Sequence, residues 1–130
     1  MTDGAAYNGD EASGSLQDVT VERPFAGAAV VAFRGEHDLA DREQVEALLA
    51  SILEEGHVVV DFSEAAFVDS TIPHVLLNAD AAARERGREL RLQLGTEAIV
   101  RKAFELSGVL EQLPTFGSRE EALDGLGQDV

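Results

Sequence analysis

The residues best suited to chemistry lie in the stretch FVDSTIPHVLL, residues 67–77, where an acid, two hydroxyls and a histidine stand between apolar flanks. Ser70 and His74 are four residues apart and could meet on one face of a helix. With Asp61 or Asp69 as an orienting acid, they could supply the nucleophile and base of a small serine hydrolase. The sequence has no GxSxG motif, so this hydrolase is only a remote alternative and we expect no enzymatic activity.

Metal and nucleotide sites lack their usual signatures in this chain. His37 and His57 have acidic neighbours, but no pair of histidines has the HxH or HxxxH spacing of a preorganised metal site, and there is no cysteine. The glycines Gly35, Gly87 and Gly95 are isolated, whereas a phosphate-binding loop clusters its glycines. We therefore predict neither a metal nor a cofactor.

Composition and charge narrow the range of partners. The chain has 130 residues, about one domain, and 45% of them are hydrophobic, which is enough for a folded core. A formal net charge of −15 would repel nucleic acids and anionic lipid surfaces, so we expect neither as a partner. No apolar run approaches the roughly 18 residues of a membrane helix, and MTDGAAYNGDEASGS at the N-terminus lacks the features of a secretory signal. We predict a cytoplasmic protein.

Strand-like and helix-like segments alternate along the chain and would position the chemical residues. Short apolar segments predict strands at 18–25, 28–33, 57–62, 89–94 and 113–116. Helical spacing predicts helices that begin after Asp41, at Pro73, at Thr96 and after Ser118. This alternation predicts an α/β sandwich with a mostly parallel or mixed sheet of about five strands and about four helices. Residues 1–17 are predicted to form a flexible acidic tail, 18–124 the domain, and 125–130 a frayed C-terminus.

Three details of the predicted helices depend on particular residues. Asp41 is expected to cap the first helix with Gln44, and Ser118 to cap the last helix with Glu121, in capping boxes. Gly108 is expected to end the third helix. The residues of that helix expected to face the core are Ile99, Val100, Ala103, Phe104 and Leu106.

In a parallel α/β sheet, functional residues gather in the loops that follow the C-terminal ends of the strands. Two predicted loops meet this condition, 35–39 and 63–72, and together they would form one polar rim. Because proline disfavours the α conformation of the preceding residue, the second loop should lead into a helix near Pro73. Ser70 and Thr71 would then lie in an exposed turn before the helix. A simple helix cap is the bland alternative for this stretch.

Four short motifs follow one another along the chain: GEHD at 35–38, DFS at 61–63, VDST at 68–71 and LSG at 106–108. In this order and spacing they resemble the STAS domain family, and most closely its stand-alone bacterial anti-sigma factor antagonists. The corresponding family patterns are Gly-Glu-Leu/Ile-Asp, Asp-Leu-Ser, apolar-Asp-Ser-Ser/Thr-Gly-Leu-Gly and Leu-Thr/Ser-Gly. The resemblance covers about residues 18–124 and implies a STAS-like sandwich.

By this resemblance, the chain would bind an anti-sigma factor that is also a serine kinase, and would thereby release a sigma factor for transcription. Ser70, or less favourably Thr71, would receive the phosphate in a partner switch, and a phosphatase would be a further partner. The kinase would supply ATP, so the chain itself would need no cofactor. The implied partner-binding residues are Gly35, Glu36, Asp38, Ser63, Asp69, Ser70, Thr71, Ile72, Pro73, His74 and Asn78.

The chain departs from the family pattern just after Ser70. Ile72, Pro73 and His74 stand where the family has Gly-Leu-Gly, which replaces two small flexible residues by bulky ones and fixes one φ angle. A kinase that approaches the backbone closely would meet a different surface here. The alternative function is therefore a non-phosphorylated STAS binding or scaffold module of a signalling or lipid-transport complex.

Overall fold

Segments rich in β-branched and aromatic residues form a single sheet, in keeping with their preference for extended backbone. The computed structural model describes residues 18–126, and its strands lie in the order β1-β2-β3-β4-β5 across the sheet. Their bounds are β1 Val19–Phe25, β2 Ala28–His37, β3 His57–Val68, β4 Leu90–Gln93 and β5 Thr115–Phe116. β1 and β2 pair antiparallel, and every other pair of neighbouring strands is parallel. The sheet is therefore mixed, as predicted.

Helices connect the parallel strands. Their bounds are α1 Arg42–Glu55, α2 Thr71–Glu85, α3 Ala98–Ser107, α4 Val109–Gln112 and α5 Arg119–Leu123. One turn of 3₁₀ helix, Leu39–Asp41, precedes α1. The predicted α/β fold class is confirmed, and α4 and the 3₁₀ turn are short additions to the predicted helices. None of the helices within residues 18–126 is both long enough and apolar enough to cross a membrane.

The sheet separates two cores. The larger core lies between the sheet and helices α1 to α4, and at its centre Phe33, Phe62 and Phe104 pack together as rings. The smaller core lies on the opposite face, where α5 covers the starts of β2 and β3. Leu126 is buried in this second core. The predicted tail at residues 1–17 lies outside the described residues, as do residues 127–130 of the C-terminus predicted to fray, 125–130.

Both central strands run further than predicted. β2 continues to His37 and β3 to Val68, so the predicted loops at 35–39 and 63–72 are largely strand. Their extended parts pair with each other, with Gly35 opposite Ala65 and His37 opposite Val68. The ladder therefore satisfies backbone groups that the polar sequence had assigned to loops. Glu36 and Glu64 of this segment are exposed, whereas His37 is buried.

The predicted capping box of α1 is wrong. Asp41 is the N-cap residue of α1, but its side chain makes no capping hydrogen bond there. Its Oδ2 atom instead accepts the backbone N–H of Asp38 at 3.3 Å and lies 3.2 Å from Nδ1 of His37. Gln44 therefore has no reciprocal partner, because the preceding 3₁₀ turn uses the Asp41 carboxylate.

Two other predicted helix ends are confirmed. Gly108 follows α3 in the left-handed conformation, with φ of 84°, and the hydroxyl of Ser107 donates to the carbonyl oxygen of Phe104 at 2.8 Å. The Ser118 hydroxyl accepts the backbone N–H of Glu121 at 3.2 Å before α5, which is the serine half of the predicted capping box. The LSG motif thus serves to end one helix and turn the chain into the next.

The apolar side predicted for α3 is only partly right. Val100 and Phe104, four residues apart, are fully buried on β3, and Ala103 is half-buried beside them. Ile99 and Leu106 are instead 51% and 78% exposed. α3 covers the sheet with a narrow stripe, so apolar residues at the edges of that stripe face solvent.

Candidate functional site

The site forms where β2 and β3 end side by side. His37 and Val68 are partners in the ladder, and the backbone N–H of Asp69 donates to the carbonyl oxygen of His37 at 3.3 Å. The chain then turns into the 3₁₀ helix after β2 and into α2 after β3. The structure thus brings together the 35–39 segment and the DST segment, as expected from the sheet topology.

Asp69 holds these two segments together through its carboxylate. Its Oδ1 atom accepts the backbone N–H of Thr71 at 2.9 Å, which caps the start of α2. Its Oδ2 atom accepts the backbone N–H of Leu39 at 3.3 Å, in the 3₁₀ turn of the neighbouring segment. A carboxylate at this position also interacts favourably with the positive N-terminal end of α2. One side chain therefore sets both the start of the helix and the position of the adjacent turn.

The Ser70 side chain does not take part in capping α2. The residue is exposed, has helical backbone angles of φ −67° and ψ −15°, and makes no side-chain capping bond. None of the hydrogen bonds within residues 18–126 involves its hydroxyl. The simple cap expected as the alternative for this stretch is therefore present, but Asp69 supplies it and Ser70 does not.

The helix starts earlier than predicted, at Thr71 and not near Pro73. Pro73 occupies the third position of α2, within the first turn, where its missing N–H has no helical acceptor to lose. Ile72 is 0% exposed and Pro73 is also buried, so both side chains point into the protein. Burial of Ile72 compensates for the restricted backbone before proline. Of the three residues that depart from the family pattern, only His74 is exposed.

The exposed part of the site combines a helix stripe with an acidic edge. Ser70, His74 and Asn78 recur every four residues and are all exposed along α2. Glu36 and Asp38 are exposed at the end of β2 and in the turn after it. These five residues, with half-buried Asp69 and Thr71, form one outward surface, which we call the Ser70 surface.

Gly35 serves the backbone of this surface. It lies in β2 with φ of 76°, a left-handed conformation that an L side chain rarely adopts. A Cβ atom at this position would also lie 3.2 Å from Oδ2 of Asp18. Gly35 marks the register shift at which β2 bends toward the Ser70 surface.

Ser63 is not part of this surface. It lies within β3, five residues before Val68, at the level where the shorter β4 ends. Six residues of strand and turn, 64–69, lie between Ser63 and Ser70, which corresponds to on the order of 20 Å of extended chain. Its backbone N–H donates to Oδ1 of Asp61 at 2.8 Å. The prediction that segments 35–39 and 63–72 form one polar rim is therefore wrong for Ser63, because β3 continues where the sequence predicted a loop.

The 3₁₀ turn beside the surface is well braced. Asp38 Oδ1 accepts the N–H of Ala40 at 3.0 Å, and Asp41 Oδ2 accepts the N–H of Asp38, which makes a reciprocal capping box. His37 is only 2% exposed, and its Nε2 atom lies 2.9 Å from the carbonyl oxygen of Arg34. The turn therefore has a fixed conformation although its outer side chains face solvent. The sequence did not indicate Leu39 as a site residue, because nothing in the sequence shows that a leucine between acidic residues is exposed.

The side chains considered for hydrolysis are not linked in the structure. Asp61 binds the N–H of Ser63 and lies 3.6 Å from Arg119, and Asp69 binds two backbone N–H groups. No hydrogen bond within residues 18–126 joins His74 to Ser70 or to either acid. Over the same residues, no three His, Asp or Glu side chains are close enough together to hold a metal ion.

Fold and site together define a mixed α/β sandwich that presents an exposed serine at the start of the helix following its longest strand. The family model described as "Mlab, STAS domain" matches residues 21–115. The chain therefore belongs to the STAS domain family. No curated protein gives a significant sequence match.

Solved structures of anti-sigma factor antagonists have the same fold. The unphosphorylated form of the antagonist SpoIIAA superposes with a TM-score of 0.69 at 24% identity, covering 82% of this chain and 93% of SpoIIAA. An antagonist from Mycobacterium paratuberculosis gives 0.67 at 22% identity, covering 81% and 89% of the two chains. A single-residue variant of RsbS from Moorella thermoacetica gives 0.65 at 20% identity, covering 82% and 92%. This chain is thus a STAS domain similar in fold to such antagonists.

The double role of Asp69 can be tested by removing its carboxylate. We expect Asp69→Ala to lower the free energy of unfolding by about 1–2 kcal/mol, because the cap of α2 is lost. We also expect faster hydrogen exchange at the amides of both Leu39 and Thr71, since one carboxylate serves the two. Asp124→Ala, which removes an exposed aspartate on the opposite side of the sheet, is the matched control. Faster exchange at Thr71 alone would contradict the link between the two segments.

Proposed function

We propose that this protein is a cytoplasmic anti-sigma factor antagonist, switched by phosphorylation of Ser70. In its unphosphorylated form it binds an anti-sigma factor that is also a serine kinase, and this binding releases a sigma factor. The observation that carries the proposal is the exposed hydroxyl of Ser70, which Asp69 has freed from capping α2. Such a hydroxyl is open to an enzyme that comes from outside.

The chemistry required of this chain is small. In phosphoryl transfer from ATP, the Ser70 oxygen forms a bond to the γ-phosphorus while the bond to the β-phosphate oxygen breaks and ADP leaves. The serine proton passes to a base of the kinase, which also holds ATP and Mg²⁺. The protein itself contributes a serine fixed at a helix start, which is a defined position for transfer. No second catalytic side chain of this chain is needed.

The position of Ser70 suits a switch that acts on binding. α2 has 15 residues, and its N-terminal dipole favours negative charge, so the free protein can carry the phosphate. A phosphoserine adds about −1.5 to −2 charges beside Asp69, Asp38 and Glu36. A partner that docks over these acids would meet both repulsion and the cost of desolvating the new charge. The kinase would therefore release its phosphorylated substrate.

The burial of Ile72 and Pro73 supports phosphorylation in this chain. These residues replace Gly and Leu of the family pattern, but their side chains are buried below the helix start and do not occupy the space in front of Ser70. The family pattern is thus altered mainly at His74, one helical turn further on. A kinase partner needs room for that imidazole, and the approach to Ser70 itself stays open.

The comparisons support the proposal at the level of fold. Structures of SpoIIAA exist in unphosphorylated and phosphorylated forms, and both superpose on this chain, with TM-scores of 0.69 and 0.63. The second candidate function is a non-phosphorylated STAS module of a larger complex. It is favoured by exposed His74 in place of a glycine and by the match to the Mlab model.

The proposed function predicts phosphorylation at one residue. Each serine kinase of the anti-sigma class encoded in the source genome is purified and incubated with this protein and Mg-ATP. We expect at least one kinase to add a single phosphoryl group to the wild type, measured by intact mass, and none to Ser70→Ala. A phosphatase should then restore the original mass.

Two control variants test whether Ser70 is the phosphorylated residue, and binding without phosphorylation distinguishes the two candidate functions. Thr71→Ala keeps Ser70 and should be phosphorylated like the wild type, since the Thr71 backbone N–H that Asp69 binds is unchanged. Ser107→Ala removes a serine hydroxyl away from the surface and should also be phosphorylated. If a kinase binds but no phosphate is gained, the non-phosphorylated module is favoured. Equal phosphorylation of Ser70→Ala would contradict the assignment of Ser70.

A further inference from the structure

An exposed leucine, Leu39, lies beside the acidic part of the Ser70 surface. Leu39 is 63% exposed, and its backbone N–H is held by the Asp69 carboxylate beside Ser70. Single exposed apolar residues are common on proteins and carry no meaning alone. Leu39 differs from the others because it is fixed next to a candidate modification site and because of the charges around it.

The backbone that presents Leu39 is rigid. The reciprocal capping box between Asp38 and Asp41 closes the 3₁₀ turn, and the buried ring of His37 anchors the strand end below it. Asp69 adds a tether from the neighbouring strand. A side chain presented by a preordered turn loses little conformational entropy on binding, which favours its use as an anchor in an interface. The turn thus holds the Leu39 side chain outward, with 63% of it exposed.

The charges around Leu39 describe the complementary surface. Residues 35–41 contain the acids Glu36, Asp38 and Asp41; of the arginines on either side, Arg34 is half-buried and Arg42 is paired with Glu46 at 3.3 Å. Glu36 and Asp38 are exposed, and no ion pair formed within residues 18–126 uses either of them. A basic rim around an apolar socket would match this arrangement of acids around a leucine.

We propose that Leu39 is the apolar anchor of this surface and enters a socket on the kinase-type partner whose rim carries arginine or lysine. This inference rests on the proposed function and assigns a role to a residue outside the family motifs. Asp69 links Leu39 to the phosphorylation site, because its two carboxylate oxygens accept the backbone N–H groups of Leu39 and of Thr71, the residue after Ser70. The anchor and the switch therefore bind the same partner within one continuous surface.

The test measures binding of the purified kinase that phosphorylates Ser70, without nucleotide, by calorimetry. Leu39→Ala is expected to raise the dissociation constant about 30-fold, in the range of a central apolar anchor. The matched control is Leu106→Ala, which truncates a leucine that is 78% exposed on α3 and should change the constant less than about twofold. Because both leucines are exposed, both variants should unfold at the wild-type temperature.

A second variant tests the rim. Glu36→Gln keeps the shape of the side chain and should lower the association rate constant severalfold at low salt, with a smaller effect at high salt. Equal binding by Leu39→Ala and wild type would overturn the anchor while leaving phosphorylation of Ser70 intact. Equal weakening by Leu106→Ala would also overturn it. If no kinase of the panel binds or phosphorylates the wild type, the proposed function fails and the anchor fails with it.

Discussion

Replacing Phe62 by alanine should lower the free energy of unfolding by about 3–5 kcal/mol, the range measured when a large buried aromatic is truncated. Phe62 is 1% exposed in the larger core. Its ring stacks on Phe33 with centroids 4.4 Å apart and planes 4° apart, and meets Phe104 of α3 edge-on at 5.1 Å. The substitution removes both aromatic contacts and leaves a cavity between the sheet and α3.

Denaturant unfolding followed by circular dichroism measures this loss. Phe25→Ala, which truncates a phenylalanine 39% exposed at the end of β1, is the matched control and should change the free energy by less than about 1 kcal/mol. Phe62→Leu should fall between the two, because it refills part of the cavity. A loss for Phe62→Ala no larger than that for Phe25→Ala would contradict the stacked arrangement.

This core also supports the Ser70 surface. Phe33 stacks on Phe62 on one side and meets the ring of His37 at 90°, with centroids 5.2 Å apart. His37 in turn lies beside Asp41 of the 3₁₀ turn. In a Phe62→Ala protein that remains folded, hydrogen exchange at Leu39 should therefore increase relative to wild type, and by more than exchange at residues of α5, which belongs to the other core. The fold and the surface are linked through packing that no motif reveals.

Local pattern was enough to predict the main features of the fold. Helical spacing predicted a helix after Asp41, and the apolar residues with that spacing in α1 are buried or, in the case of Leu48, half-buried: Val45, Leu48, Leu49, Ile52 and Leu53. Short β-branched runs predicted the central strands, since such runs fit a sheet covered on both faces. The expectation that functional segments follow the C-terminal ends of parallel strands predicted which strand ends would meet. These features depend on neighbours in sequence, which is why a single chain reveals them.

Features that depend on distant neighbours were not predictable in the same way. The extension of β3 beyond Phe62 pairs with the matching extension of β2. Neither extension can be predicted from the polar residues of its own segment alone. The cap of α2 is Asp69 and not Ser70, because a carboxylate can bind Thr71 and Leu39 at once. Exposure of Leu39 likewise follows from the braced turn. Pairing and side-chain competition decided these points, and propensity did not.

Under the proposed function, Ser70→Asp should weaken binding to the kinase partner about 100-fold, the largest effect that we expect on binding. An aspartate places a permanent negative charge where the phosphate would be, beside Asp69 and near Asp38 and Glu36. An unpaired charge in a desolvated, like-charged interface costs about 2–5 kcal/mol, and each 1.4 kcal/mol is tenfold in affinity. The free protein should keep its stability, because an acid at the N-terminus of α2 interacts favourably with the helix dipole.

Ser70→Asn separates charge from shape in this prediction, since asparagine has the size of aspartate and no charge. Calorimetry with the nucleotide-free kinase should give a much smaller loss for Ser70→Asn than for Ser70→Asp. The difference between the two variants should shrink as salt rises well above about 0.15 M, where the screening length is already near 8 Å. Equal losses at every salt concentration would mean that bulk at residue 70 blocks docking. The negative charge of a phosphate would then not be the signal that the partner detects.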